Sequence, residues 1–391
     1  MNVETLLFLL LPVAAFSGWW LAQKGHSSSR SSVRSEFSAE YFTGLNFLLN
    51  EQPDKAVDIF IKMLEVDNDT VETHLALGNL FRRRGEGDRA IRIHQNLIAR
   101  STLTKEQRLE ALLELGKDYM RAGFLDRSEN LFLELVEDDG HQEIALGNLL
   151  DIYQQERDWE KAIDVSVKLD SINSKNSGTL TAQYCCEIAE KFYKNGENKL
   201  ALKSIKRALS YDKNCVRATL LMGGIERDEK NYKAAIKSFR LVENQDATYV
   251  SEVVEPILQC YQALGKSDEA RSYLTTVSNN YGGATAALAL AELTRLEAGE
   301  SAAAQEMLTS LGKRPSIKGV SRLIELQIAA SNGETRRTLT DINSVVNRLI
   351  ERQAPYRCTQ CGFQGKTLHW LCPTCRHWSS IKPVQGDGNN E

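Results

Sequence analysis

One register, repeated along most of the chain, limits the fold more than any other feature. Gly78, Phe81, Gly85, Ala90 and Leu97 set a template that returns as Gly116, Tyr119, Gly123, Ser128 and Leu135. It comes back with Tyr153, Ala162 and Leu169, with Phe192, Gly196, Ala201 and Ala208, with Ala235, Phe239 and Val242, and with Tyr261, Gly265, Ala270 and Val277. Units beginning at residues 37, 71, 109, 143, 182, 216 and 251 are separated by 34, 38, 34, 39, 34 and 35 residues, so the step is 34 with small insertions. Fainter copies begin near 285, with Gly299 and Ala304, and near 319, with Gly333. Such a period marks an array in which a single unit cannot bury its apolar face and stacked neighbours make the core.

The template resembles the tetratricopeptide repeat, a pair of helices with a small residue where they cross and an aromatic at the packing seam. The eighth place holds Gly44, Gly78, Gly116, Ala189 and Gly223, and the twentieth holds Ala56, Ala90, Ala162, Ala201, Ala235 and Ala270. A larger side chain at either place would wedge the helices apart. Gly85, Gly123, Gly196 and Gly265 are expected to end first helices as left-handed caps. The fold expected is all-α, a superhelical tetratricopeptide-repeat solenoid over residues 37–352 with seven clear and up to nine helical hairpins. The second, fifth, ninth and twelfth places put Asn79, Arg82, Lys117, Asp151, Gln154, Glu190, Tyr193, Arg217 and Arg227 on the inner helices. Their mixed charge suits a polar partner surface, and ordinary solvated helix surface is the competing reading.

At the carboxyl end, Cys358-Thr359-Gln360-Cys361-Gly362 and Cys372-Pro373-Thr374-Cys375 read as one four-thiolate metal site. Two residues inside each pair let both sulfurs converge on one ion, and the ten residues between the pairs allow a short hairpin. His369 and His377 flank the second pair and are read as neighbours, since four thiolates complete a site. Together with Tyr356, Phe363, Trp370 and Trp378, the pattern resembles a rubredoxin-like zinc ribbon over residues 353–383. The same sulfurs accept zinc or iron; with no flavin or haem site in view, structural zinc is favoured over iron for electron transfer. The short connection Glu351–Pro355 places the ribbon against the last helical hairpins.

The amino end carries an apolar run from Leu6 to Ala22, interrupted by Pro12, Ser17, Gly18, Trp19 and Trp20. Seventeen residues at about 1.5 Å each approach the thickness of a hydrocarbon core. Only Glu4 precedes the run, whereas Lys24, Arg30 and Arg34 follow it. That is the reverse of a removable signal and, by the positive-inside rule, holds the body in the cytoplasm. Residues 1–23 are therefore expected to be a transmembrane anchor, with Gly18, Trp19 and Trp20 as candidate membrane contacts, and residues 24–36 a serine-rich linker. A cleaved signal peptide and a buried helix are the alternatives. A disordered tail is expected over 384–391.

Net charge is −4 with both signs interspersed, and only Arg357, Lys366, Arg376 and Lys382 populate the ribbon with cations, too dispersed for a nucleic-acid track. The sequence has no phosphate-binding G-x-x-x-x-G-K-[ST] loop, no G-x-G-x-x-G after a strand, no H-E-x-x-H and no G-x-S-x-G. A non-catalytic protein is expected.

Anchor, repeat stack and ribbon together resemble the lipopolysaccharide assembly protein B family of Gram-negative bacteria. The resemblance spans the whole chain and includes Trp19-Trp20, Glu40-Tyr41-Phe42, Gly44-Leu45-Asn46 and Tyr356-Arg357-Cys358. It implies a single-pass protein of the cell inner membrane that regulates lipopolysaccharide synthesis. On that resemblance the partners are the protease FtsH and the lipid A pathway deacetylase LpxC, whose proteolysis the adaptor promotes. A platform that gathers synthetic enzymes is the alternative, and a homo-oligomer stays open.

Overall fold

A computed structural model describes residues 71–384, apart from 174–177 and 282–283, together with scattered positions between 42 and 59. The expected anchor at 1–23 with Gly18, Trp19 and Trp20, the linker at 24–36 and residues 385–391 lie outside the described residues. Among the described residues no helix is long and apolar enough to cross a membrane.

The described chain divides into two compact units between Ile152 and Tyr153. The first contains α1 (Val71–Arg83), α2 (Gly87–Ile98), α3 (Lys105–Ala122), α4 (Leu125–Leu135) and most of α5 (Gln142–Glu156). The second continues with α6 (Trp159–Asn173), α7 (Gly178–Lys194), α8 (Asn198–Tyr211), α9 (Val216–Asp228) and α10 (Tyr232–Arg240). A turn of helix at Val242–Gln245 and a 3₁₀ turn at Ala247–Tyr249 lead to α11 (Val250–Ala263), α12 (Ser267–Tyr281), α13 (Ala284–Ala298), α14 (Glu300–Lys313), α15 (Ile317–Ala330) and α16 (Gly333–Arg352). The two faint repeats near 285 and 319 are thus helical pairs like the rest.

The template's small residues have a defined geometric cause. A Cβ at Gly78 would lie 2.3 Å from the His94 ring, one at Gly116 2.7 Å from Phe132, and one at Gly223 2.6 Å from Phe239. The glycine therefore receives an aromatic ring from the second helix of its own hairpin. Ala56, Ala90, Ala162, Ala201, Ala235 and Ala270 are at most 1% exposed. Ser128 takes the same place in α4, where its buried hydroxyl donates to the Gly116 carbonyl at 2.8 Å. That bond lets a polar side chain replace alanine without an unmet hydrogen bond.

The fifteenth place is left-handed in every described repeat. Gly85, Gly123, Gly196, Gly265, Gly299 and Gly333 have φ between +63° and +88°, and Arg157 and Lys230 occupy the same place at +59° and +63°. The turn is imposed by the hairpin, and glycine merely adopts it at lower cost.

After α16 the chain forms a small antiparallel sheet of β1 (Tyr356–Cys358), β2 (Gln364–Gly365) and β3 (Ile381–Pro383), with β1 central. Its register pairs Tyr356 with Gly365 and Cys358 with Ile381. This arrangement brings the two cysteine pairs together.

Candidate metal centre and its seat on the helices

Each cysteine pair sits on a knuckle of the same construction. Cys358 N–H donates to the Phe363 carbonyl at 2.8 Å and Gly362 N–H to the Cys358 carbonyl at 3.1 Å. In the second knuckle, Cys372 N–H donates to His377 at 3.0 Å and Arg376 N–H to Cys372 at 2.9 Å. Both knuckles close on a left-handed residue, Gly362 at φ +74° and Arg376 at +56°. Within the knuckles Gln360 N–H points at Cys358 Sγ, 3.4 Å away, as expected where backbone donors support a thiolate.

The four sulfurs all lie within 4.8 Å of one another, and Cys358–Cys375 and Cys361–Cys372 are each 3.7 Å apart. A tetrahedral ion with metal–sulfur bonds of about 2.3 Å needs sulfurs ~3.8 Å apart, so the group fits a tetrathiolate metal. Cys358 and Cys372 are buried, Cys375 is half-buried and Cys361 is exposed. His369 bonds Thr367 and His377 bonds the Cys375 carbonyl, and neither joins the ligand group. The four-cysteine reading of the sequence holds.

The ribbon's seat differs from the expectation of docking on the last hairpins. Trp370 stacks on Tyr249 with centroids 5.5 Å apart. Trp378 meets Tyr184 and Trp159 edge-on at 5.8 and 6.1 Å, and donates its indole N–H to Gln154 Oε1 at 3.1 Å. The Arg217 guanidinium lies 5.9 Å from both tryptophan rings. Tyr249 donates to the Ile381 carbonyl at 2.9 Å, Tyr356 to Glu252 at 3.1 Å, and Lys382 pairs with Asp246 at 2.5 Å. The seat therefore runs from α5 to the start of α11. A ribbon this small cannot bury two indoles by itself, and Tyr184, Tyr249 and Arg217 supply aromatic and cationic partners that leave both half-buried.

Electrostatics keep this seat ionised where charge is needed. Burial alone would lower the Arg217 pKa, but Glu190 and Glu187 beside it hold the guanidinium above its ordinary value. Burial pushes Asp246 up, yet the Lys382 and Thr248 hydrogen bonds outweigh it and hold this carboxyl below the usual range. Glu252 goes the other way, because burial raises it more than the Tyr356 hydroxyl lowers it. The Tyr356 phenol is pushed up to about 12, chiefly by burial and then by the Glu252 charge.

The nine inner-helix residues divide by these contacts. Gln154 and Arg217, expected on an open partner face, instead hold the chain's own ribbon, and Arg217 is only 2% exposed. Glu190 bonds Arg217 at 2.7 Å, and Tyr193 bonds Asp228. Arg82 bridges repeats in the first unit: it bonds Asp118 at 2.8 Å, Glu114, and its neighbour Asn79 at 2.6 Å. Lys117 also bonds Glu114, at 2.7 Å. Asp151 is exposed on α5, and Arg227 reaches Asp228 and Gln259. Sequence reasoning missed Trp159, Tyr184, Asp246, Tyr249 and Glu252. Tyr184 and Tyr249 look like ordinary core aromatics within their repeats, and only surplus indoles on the ribbon hint at such partners.

Comparison with known proteins agrees with the two architectures. The family described as rubredoxin metal binding domain matches residues 356–383, and tetratricopeptide repeat families match 73–109 and 186–248. Lipopolysaccharide assembly protein B of Escherichia coli (strain K12) is 39% identical over 382 residues, covering 97% of this chain and 98% of the relative. The protein of that name from Haemophilus influenzae is 38% identical over 396 aligned positions, covering 98% and 99%.

Proposed function

Because the chain belongs to the lipopolysaccharide assembly protein B family, we propose that it serves lipopolysaccharide assembly as a membrane-anchored adaptor that presents the deacetylase LpxC to the protease FtsH. The protein is non-catalytic: its repeat families and relatives are those of a scaffold. The near-full-length relationship is the observation that carries the reading. The helical stack supplies long, solvated faces of the kind that bind protein segments.

In this reading Leu6–Ala22 anchors the chain in the inner membrane with the helices on the cytoplasmic side, as the basic residues after the run require. The metal is zinc with a structural role. Cys358, Cys361, Cys372 and Cys375 hold it, and its binding contributes folding free energy, on the order of 10 kcal/mol in small zinc peptides. The residues around the ribbon position it: Arg217 and Gln154 orient Trp378, and Asp246 fixes the strand carrying Lys382. Lys117, Asp151 and Arg227 are the inner-helix residues proposed to meet a partner.

The test is crosslinking in intact cells followed by purification of the full chain from membranes. Recovery of both protease and deacetylase supports the adaptor reading. Recovery of synthetic enzymes without the protease would instead favour a platform.

A further inference from the structure

The second unit contains a cavity of about 1260 Å³ that the ribbon's seat does not use. It runs along α11 to α16 and is closed on one side by the connection into β1, by Gln364 and by Val384. Its volume exceeds the roughly 300–1,000 Å³ of small-molecule sites, which favours a length of polymer.

Its charge is one-sided. Lys313, Arg314, Lys318, Arg352 and Arg357 line it, and none of the five forms a side-chain ion pair or hydrogen bond among the described residues. The carboxylate in the described lining is Glu306, and it is engaged by Thr294 and Arg271. In the same unit Arg217, Arg271, Arg295 and Arg322 each pair with a glutamate. Lys318 also feels the Glu252 carboxylate nearby, and the other four cations have no such partner among the described residues, so together they leave a positive field for an acidic ligand.

The lining also fixes the kind of acid. Val254, Leu290, Met307 and Ile350 give it an apolar floor, while Asn279, Gln305 and Gln353 offer carboxamides. Carboxamides both donate and accept, matching the peptide group. An acyl chain would leave them unmet. An extended peptide alternates its side chains between two faces, so one face can meet the floor and the other the cationic rim.

We propose that this cavity binds an extended protein segment in which acidic and apolar residues alternate. The inference rests on the scaffold reading and assigns it a second contact surface, distinct from the inner-helix residues proposed above. Because Pro355, Arg357, Gln364 and Val384 belong to the ribbon and its junctions, an intact ribbon completes the site.

The test uses the full chain in detergent and a fluorescent decapeptide of alternating Leu and Glu, read by anisotropy. Saturable binding that weakens steeply with salt, and falls at least tenfold in Lys313→Glu/Arg314→Glu/Lys318→Glu, supports the proposal. An independent reversal, Arg352→Glu/Arg357→Glu, should do the same if the first variant misfolds. Equal binding by wild type and both reversals overturns it. So does equal binding of an alternating Leu and Lys peptide, or binding only to phosphatidylglycerol vesicles. Membrane crosslinking separates the two readings: protein partners on a wild type that binds no peptide would reject the cavity alone, whereas no protein partner on wild type would reject the scaffold.

Discussion

Lys230 and Arg157 show what the repeat imposes on single residues. Both adopt the left-handed turn that six other described repeats give to glycine. A left-handed conformation costs a non-glycine residue about 1–2 kcal/mol, while glycine adds roughly 0.5–1 kcal/mol of unfolded-state entropy. Lys230→Gly should therefore stabilise by about 0.5 kcal/mol in urea melts, and a clear destabilisation would show that the lysine side chain contributes more than its backbone costs. Much at this scale was legible in the sequence. Glycine caps, crossing alanines and the paired cysteines are set by local geometry, so they surface as residue types at fixed spacing. Arg157 and Lys230 were not legible, because their residue type contradicts their conformation. The ring received by Gly78 was also hidden, since His94 lies on a buried face where the register led us to expect only a close helix crossing.

Between elements, the ribbon and its seat illustrate a contact that spacing could not announce. Trp378 reaches Gln154 across 224 positions. The inner helices were expected to face a partner, and in the second unit the chain's own ribbon takes part of that surface. Removing Trp378 deletes an indole hydrogen bond and two aromatic contacts while leaving every ligand intact. Trp378→Ala should lower stability by about 3 kcal/mol with an unchanged metal equivalent, and loss of metal would mean that seat and site are one folding unit. The seat's two carboxyls give a pH signature of opposite sign. The depressed Asp246 stabilises above its unfolded value near ~4 and loses this as pH falls through its lower folded value. The raised Glu252 favours its protonated form, so its contribution is present below the ordinary carboxyl range and is lost as pH rises through the folded value. Asp246→Asn should thus destabilise at pH 7 by up to about 1 kcal/mol, with the difference from wild type fading in acid. Glu252→Gln keeps an acceptor for Tyr356 and should raise the melting temperature at pH 7, again with the difference fading in acid. Identical pH profiles for both variants would contradict these assignments.

At the scale of the whole molecule, the proposed function makes an apolar amino end, a helical scaffold and a metal-held ribbon parts of one adaptor. Tethering a client-binding surface beside a membrane protease raises the effective concentration of weak contacts, to the millimolar range for short linkers. The scaffold was legible as an architecture because its period repeats. Its cargo was not, because a binding face is built from exposed residues that the repeat leaves free to vary. The most direct test is the half-life of the deacetylase in cells lacking the native protein and supplied either with the full chain or with one beginning at Phe37, at equal abundance. The account predicts rapid turnover with the full chain and a several-fold longer half-life with the untethered form. Equal turnover with both would contradict it.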